Sequence, residues 1–197
     1  MSGAALDQAF FARSVHLVAR DLVGCTLLVD GTGGVIVETE AYEEDDPACH
    51  AYVGRTARNE VLFGPPARAY VYLSYGIHSL LNAVCEHDGS AAAVLIRALE
   101  PTTQIEEMTR RRPGKELWEL CSGPGKLTEA LGVGLELNGT SLLEDPFELR
   151  APERPDRLEV VTGPRIGITK AVELPWRYCA AENQHVSRPR PQTAVRA

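Results

Sequence analysis

Apolar residues at Leu6, Phe10, Val15, Val18 and Leu22 recur at helical spacing and Gly24 follows as a stop, so residues 6 to 23 are predicted to form one amphipathic helix. Cys25 to Val29 and Val35 to Tyr42 read as a β-hairpin closed by a glycine-rich turn at Asp30 to Gly34. Strand signals return at Ala69 to Tyr75, at Leu80 to Glu86 and along the apolar run Ala91 to Ala98. Their short connections predict an antiparallel meander. Pro101 is expected to end it, with a charged helix over residues 102 to 112. Ser122-Gly123-Pro124-Gly125-Lys126 before Leu127 to Leu131 reads as a capped helix start, whose free amides could also hold a phosphate. Residues 144 to 157 read as an acidic, proline-rich surface loop, and Leu158 to Val161 and Arg165 to Thr169 as two more strands. Beyond Ser187 the apolar periodicity stops, and 188 to 197 is expected to be a disordered tail. The sum is a mixed α+β chain.

Its size narrows the organisation. A chain of 197 residues, 44% of them hydrophobic, can bury one sizeable core, so residues 1 to 187 are expected to form a single domain. The five cysteines are scattered and form no C-x-x-C pair, which argues against a disulfide framework and a zinc site and favours a reducing compartment. Asp7, Arg13 and Arg20 interrupt the apolar N-terminal residues, so neither a signal peptide nor a membrane span is expected there, and an intracellular location is.

One segment does not read as ordinary core. Between Val37 and Tyr75 lie Glu38, Glu40, Tyr42, His50, Arg55, Arg58, Asn59, Tyr70 and Tyr72, and the connection from 43 to 68 is too long for a plain linker. In a regular strand Glu38, Glu40 and Tyr42 share a face, while Val37, Thr39 and Ala41 share the other. An isolated Glu-x-Glu is more often an exposed polar face, Tyr at strand positions often simply fills a sheet, and a lone His is usually structural. Tyr75 fits the bland reading least. Placed beside Gly76 at a hairpin tip, it suits a wedge between stacked bases. A carboxylate to manage water, aromatic faces and nearby Arg donors together suit a pocket for an extruded nucleobase.

Charge pulls the other way, because a net −7 with a pI near 5.3 is the wrong sign for phosphate neutralisation. A nucleic-acid surface then has to be local. Candidates are Arg55, Arg58, Arg68, the run Arg110-Arg111-Arg112, Lys115, Lys126 and the tail arginines, while acid gathers at Glu43 to Asp46 and from Glu144 to Glu159.

The text Ile36-Val37-Glu38-Thr39-Glu40-Ala41-Tyr42, Ala48-Cys49-His50-Ala51, Arg58-Asn59, Tyr70-Val71-Tyr72, Tyr75-Gly76, Asn82, Val94-Leu95-Ile96-Arg97 and Ser122-Gly123-Pro124 with Lys126-Leu127 resembles the alkyladenine (3-methyladenine, or methylpurine) DNA glycosylases. The resemblance runs in order from the first helix to near Ser187. It implies a curved antiparallel sheet with a protruding β-hairpin, helices packed around it, and excision of alkylated or deaminated purines flipped from duplex DNA. Residue by residue it implies that Glu40 activates the water, that Arg97 helps hold it, and that the carbonyl of Val186 is a further water ligand. Tyr42, His50, Tyr72 and Asn82 would line the purine pocket, Tyr75 would fill the gap in the duplex, and Arg55, Arg58 and Lys126 would meet the DNA backbone. A monomer, no metal and no organic cofactor are implied. Lys115 and Lys126 lie far along the chain from the carboxylate segment, so a monofunctional enzyme that leaves an abasic site is expected. Departures from the family pattern are Ala67, where Gly is usual, His78, where an apolar or aromatic residue is common, and the segment Arg177 to His185.

Two rivals share parts of this pattern. A carbohydrate hydrolase also places carboxylates at an anomeric carbon, yet Glu38 and Glu40, about 6.6 Å apart along one strand, would sit side by side and could not flank a bond. A non-catalytic binder of modified bases would keep the aromatic residues and Asn82 while dispensing with Glu40. This chain keeps both Glu40 and Arg97.

Overall fold

A strand of eleven residues, Thr32–Tyr42, organises the molecule, because three other strands and a helix are built on it. The computed structural model describes residues 3–152 and 158–191. In chain order the helices are α1 (Gln8–Phe11), α2 (Val15–Leu22), α3 (Ile105–Arg111) and α4 (Pro124–Leu131). The strands are β1 (Thr26–Val29), β2 (Thr32–Tyr42), β3 (Ala69–Ser74), β4 (His78–Val84), β5 (Ala93–Thr103), β6 (Phe147–Arg150), β7 (Val160–Gly163) and β8 (Arg177–Ala180). They form one antiparallel sheet in the order β3-β4-β5-β2-β1-β6, with β8 pairing the later part of β2 and β7 beyond it. The sheet curls into a half-barrel, the β3–β4 hairpin projects from it, and the α+β expectation holds.

Helix α2 covers one face of β2. Val15, Val18, Ala19 and Leu22 are buried against the core, and the Thr39 hydroxyl donates to the Ala19 carbonyl at 2.7 Å. Helix α4 closes over the β3–β4 hairpin, with the Thr128 hydroxyl donating to the Ser79 carbonyl at 2.6 Å. The long connection from 43 to 68 is not structureless. It carries two 3-10 turns, His50–Val53 and Glu60–Phe63, over a small separate core of Cys49, Ala51, Leu62, Tyr70, Val84, Ala91 and Ala93. Asn59 ties it: its amide nitrogen donates to the carbonyls of His50 and Gly54 at 2.9 Å each, and its oxygen accepts from Thr56 N–H.

Several sequence expectations require correction. The single helix over 6–23 is two, because the Asp7 carboxylate caps α1 and Ala12 to Ser14 break the run. The first hairpin turns at Asp30-Gly31, and β2 already begins at Thr32. Glycine makes this possible: a Cβ on Gly34 would lie 1.9 Å from the Glu100 carbonyl oxygen. Pro101 does not end β5, which runs to Thr103 by way of a register shift opposite Gly33 and Gly34. The expected loop at 144–157 contains β6, paired with β1, while 153–157 lie outside the described residues. Arg165 to Thr169 is no strand, since Gly167 turns the backbone at φ +81. The missed strand is β8, hydrogen-bonded along Glu38 to Glu40. Of the expected tail, 188–191 are described, and the Pro189 carbonyl accepts from Arg177 at 2.9 Å; 192–197 lie outside the described residues.

Candidate active site

The alternation of β2 carries Glu38, Glu40 and Tyr42 to one side, as the sequence pattern requires, but that side is interior. Register between β2 and β5 shifts around Glu38, pairing it with Ala98 and Thr39 with Ile96. Arg97 is the extra residue. A bulge of this kind re-aims a side chain, and here the Arg97 guanidinium spans both acids: Nε donates to Glu38 Oε1 at 2.8 Å and Nη1 to Glu40 Oε2 at 3.1 Å.

Glu40 is fully enclosed at 0% exposure. Its Oε2 accepts from Arg97 and from the Tyr42 hydroxyl at 2.8 Å, and its Oε1 accepts from the Ile166 N–H at 2.7 Å. An ionised carboxylate can accept about four hydrogen bonds, so among the described residues one site on Oε1 remains open. Glu38 is more completely engaged, by Arg97 Nε, Arg177 Nε, the Ser187 amide and the Ser187 hydroxyl. Burial alone would raise its pKa. Arg97, then Arg177, outweigh it, and the group is held below the ordinary carboxylate value.

In front of this pair opens a cavity of about 340 Å³, within the size range of small-molecule sites. Tyr42, His50, Tyr70, Tyr72, Asn82 and Arg97 line it, together with Leu80, Leu95 and the Ile166-Gly167-Ile168 segment. Glu40 is not in the wall itself. It stands one hydrogen bond behind it, held by Tyr42, Arg97 and Ile166, which are.

Tyr72 packs edge-on against His50, with ring centroids 4.4 Å apart, and lies beside Tyr70 at 5.3 Å. His50 Nδ1 is 2.9 Å from the Tyr70 hydroxyl. Burial, with the nearby Arg58 charge, lowers the His50 pKa, so the ring is neutral at physiological pH. Burial, then the Glu40 charge, push the Tyr72 phenol up to about 12, and it too stays neutral. The Asn82 amide nitrogen is committed to the Tyr70 carbonyl at 3.0 Å, which fixes the side chain in place.

Tyr75 sits at the tip of the β3–β4 hairpin, 89% exposed, with φ +52, and Ile77 beside it is exposed as well. Arg58 is on the surface, donating to the Leu73 carbonyl, and Arg55 lies over the Phe63 ring at 5.9 Å. Lys126 and Val186 do not line the aromatic cavity. They border a second one, of about 410 Å³, with Ser122, Gly123, Ser187, Arg188 and Arg190, and Arg97 lies in the walls of both.

Sequence reasoning missed what supports Tyr42. Arg165 is completely buried, ion-paired with Asp46 through both terminal nitrogens, and stacked between the Tyr42 ring at 4.6 Å and the Trp176 ring at 5.0 Å. Gly163-Pro164 and Gly167 were the available signals, because they make the segment carrying Arg165 a turning loop rather than a strand. Among the described residues no cluster of three His, Cys, Asp or Glu side chains could hold a metal ion, and no helix is long and apolar enough to cross a membrane.

Residues 9–184 match the family described as Methylpurine-DNA glycosylase. The chain is 59% identical over 190 residues to a protein of Bradyrhizobium diazoefficiens, covering 96% of this chain and 94% of that one. It is 58% identical to one of Rhodopseudomonas palustris, covering 95% and 92% of the two chains. It is 53% identical to one of Nitrosospira multiformis, covering 96% and 95%. Each of the three bears the name "Putative 3-methyladenine DNA glycosylase". With a family match across nearly its whole length and relatives this similar, the chain belongs to the methylpurine-DNA glycosylase family.

Proposed function

We propose that the protein is a monofunctional DNA glycosylase that flips alkylated or deaminated purines out of duplex DNA and hydrolyses the N-glycosidic bond, leaving an abasic site. The observation that carries this reading is an ionisable acid locked behind an aromatic cavity, with one acceptor site on its Oε1 still open. Water at that site gives up a proton to Glu40 as its oxygen attacks C1′, and the purine leaves with the bonding electrons. Charge growing on the sugar is stabilised by the same carboxylate. Arg97, with N–H groups left over after its bonds to Glu38 and Glu40, orients the water.

The aromatic wall supports the rest of the reading. Tyr42 and Tyr72 would stack on the purine, contributing about 1–3 kcal/mol per base while tolerating varied ring substituents. A neutral His50 avoids repelling a cationic alkylated base. Asn82, pinned by the Tyr70 carbonyl, cannot turn aside for a 2-amino group and so would disfavour normal guanine. Tyr75 would occupy the gap left in the duplex, Arg55, Arg58 and Lys126 would meet phosphates, and the protein would act as a monomer.

Release of free base from a duplex carrying hypoxanthine, ethenoadenine or 3-methyladenine tests the proposal, wild type beside Glu40→Gln. The wild type is expected to release base and the variant to lose about 10²–10⁴-fold in single-turnover rate while still binding lesion duplex. Lesion binding without release by the wild type would establish the non-catalytic binder instead.

A further inference from the structure

Behind the cavity, two carboxylates and two guanidiniums share one buried network: Glu38, Glu40, Arg97 and Arg177. Arg177 lines neither cavity and makes no hydrogen bond to Glu40, although it stands directly opposite Glu40 in the β2–β8 register. We infer that Arg177 is a positioning residue for the reaction: by neutralising Glu38, it leaves Arg97 free to hold Glu40 as the ionised base. The inference rests on the role proposed above for Glu40.

The geometry shows why Arg97 alone is not enough. Arg97 is closer to Glu38 than to Glu40, at 2.8 Å against 3.1 Å, and Glu38 also holds the Ser187 amide and hydroxyl. With Arg177 removed, one guanidinium would serve two adjacent buried carboxylates. Like charges so placed cannot both stay ionised at their usual pH, and one takes up a proton. Each acid keeps two other donors, the Ser187 amide and hydroxyl on Glu38 and the Tyr42 hydroxyl and Ile166 amide on Glu40, so the shorter Arg97 bond decides, and it favours Glu38 as the ionised partner. The proton therefore falls on Glu40, which is then unable to accept one from water.

The other groups facing Glu40 do not alter this balance. Tyr42 and Tyr72 present phenols whose ionisation burial opposes, and Cys179 presents a thiol that burial pushes up to about 12. Arg165, beyond the Tyr42 ring, is matched by Asp46. Two positive and two negative charges remain.

Arg177 also donates to the carbonyls of Ser187 and Pro189 at 2.9 Å each, so a purely structural role must be separated from the electrical one. Three full-chain variants do so: Arg177→Gln, Glu38→Gln and the two combined. Single-turnover base release is followed against pH, and the Glu40 carboxyl carbon is titrated by NMR in glutamate-labelled protein without DNA.

In Arg177→Gln, both the acid limb of the rate profile and the Glu40 titration are expected to move up by about 1–2 pH units. In Glu38→Gln they should move down, because two guanidiniums then face one acid. In the double variant, which restores the balance but not the bonds to Ser187 and Pro189, they should return close to the wild-type position. Arg177→Lys, which keeps charge without the guanidinium, should leave the limb in place and serves if Arg177→Gln does not fold. An unmoved titration in both Arg177→Gln and Glu38→Gln, or a double variant displaced as far as Arg177→Gln, would overturn the inference. Shifts as expected with no base released by any form would overturn the proposed activity and leave the charge balance standing.

Discussion

Asp46→Asn should destabilise the protein far more than its distance from the carboxylate pair suggests. The change leaves the Arg165 guanidinium without a counter-charge at a position that is completely buried. A buried lysine or histidine could escape by losing its proton, but arginine cannot, so the whole cost falls on folding. Breaking a buried pair by removing one partner typically costs about 3–5 kcal/mol. Some compensation survives: Arg165 Nη1 still donates to the Ala41 carbonyl at 3.0 Å, and the Tyr42 and Trp176 ring faces still attract the cation. The lower end, about 3 kcal/mol, is therefore expected. For a chain of this size that corresponds to a fall in Tm of about 6–12 °C.

Urea unfolding followed by circular dichroism measures it, with Asp46→Asn/Arg165→Met as the decisive comparison. The double variant removes both charges and should be more stable than Asp46→Asn by at least about 1 kcal/mol. A double variant as unstable as the single, or worse, would refute the argument that an unmatched charge is what costs. Because Arg165 stacks beneath Tyr42, base release by Asp46→Asn should also fall at temperatures where the variant is still fully folded.

Backbone conformation supports two further expectations. Ala67 and Tyr75 both occupy the left-handed region, at φ +67 and +52, so Ala67→Gly and Tyr75→Gly should each stabilise by up to about 1 kcal/mol in urea. Only Tyr75→Gly should weaken binding to lesion duplex, since Ala67 is buried away from the hairpin tip; equal affinity would remove the wedge role. For Glu38, a folded-state pKa below the ordinary 4.5 means that its stabilisation is complete above that pH and is lost as pH falls through the depressed value. Wild type should thus lose more stability than Glu38→Gln between pH 7 and pH 3, and parallel pH curves for the two would contradict the buried ion network.

Local pattern made some of this architecture legible and concealed the rest for identifiable reasons. The meander β3–β4–β5 was readable because its turns are short and its segments are long apolar or β-prone runs. The face shared by Glu38, Glu40 and Tyr42 was readable because strand periodicity is local. Strand β8 was not, because its four residues Arg177-Tyr178-Cys179-Ala180 are all buried and show no alternation to detect. The helix over 6–23 was overextended because apolar spacing carries across the break at Ala12 to Ser14.

The same contrast explains which parts of the site stayed hidden. Arg165 and Asp46 are 119 residues apart and Arg177 and Glu38 are 139, so neither pair leaves a trace at short range. In the sequence Arg165 only opens an expected strand and Arg177 only begins a segment that departs from the family pattern, and with a net −7 there was no excess of positive charge to draw attention to them. Burial reverses that reading. A chain can carry an acidic surface and still hold two buried acids beside two buried guanidiniums, because these charges are spent on each other out of contact with solvent. On the function proposed above, net charge therefore bears on how the protein approaches DNA, while the closed balance of Glu38, Glu40, Arg97 and Arg177 bears on the chemistry once a base has entered. The two can vary independently, and salt should weaken the first while leaving the second untouched.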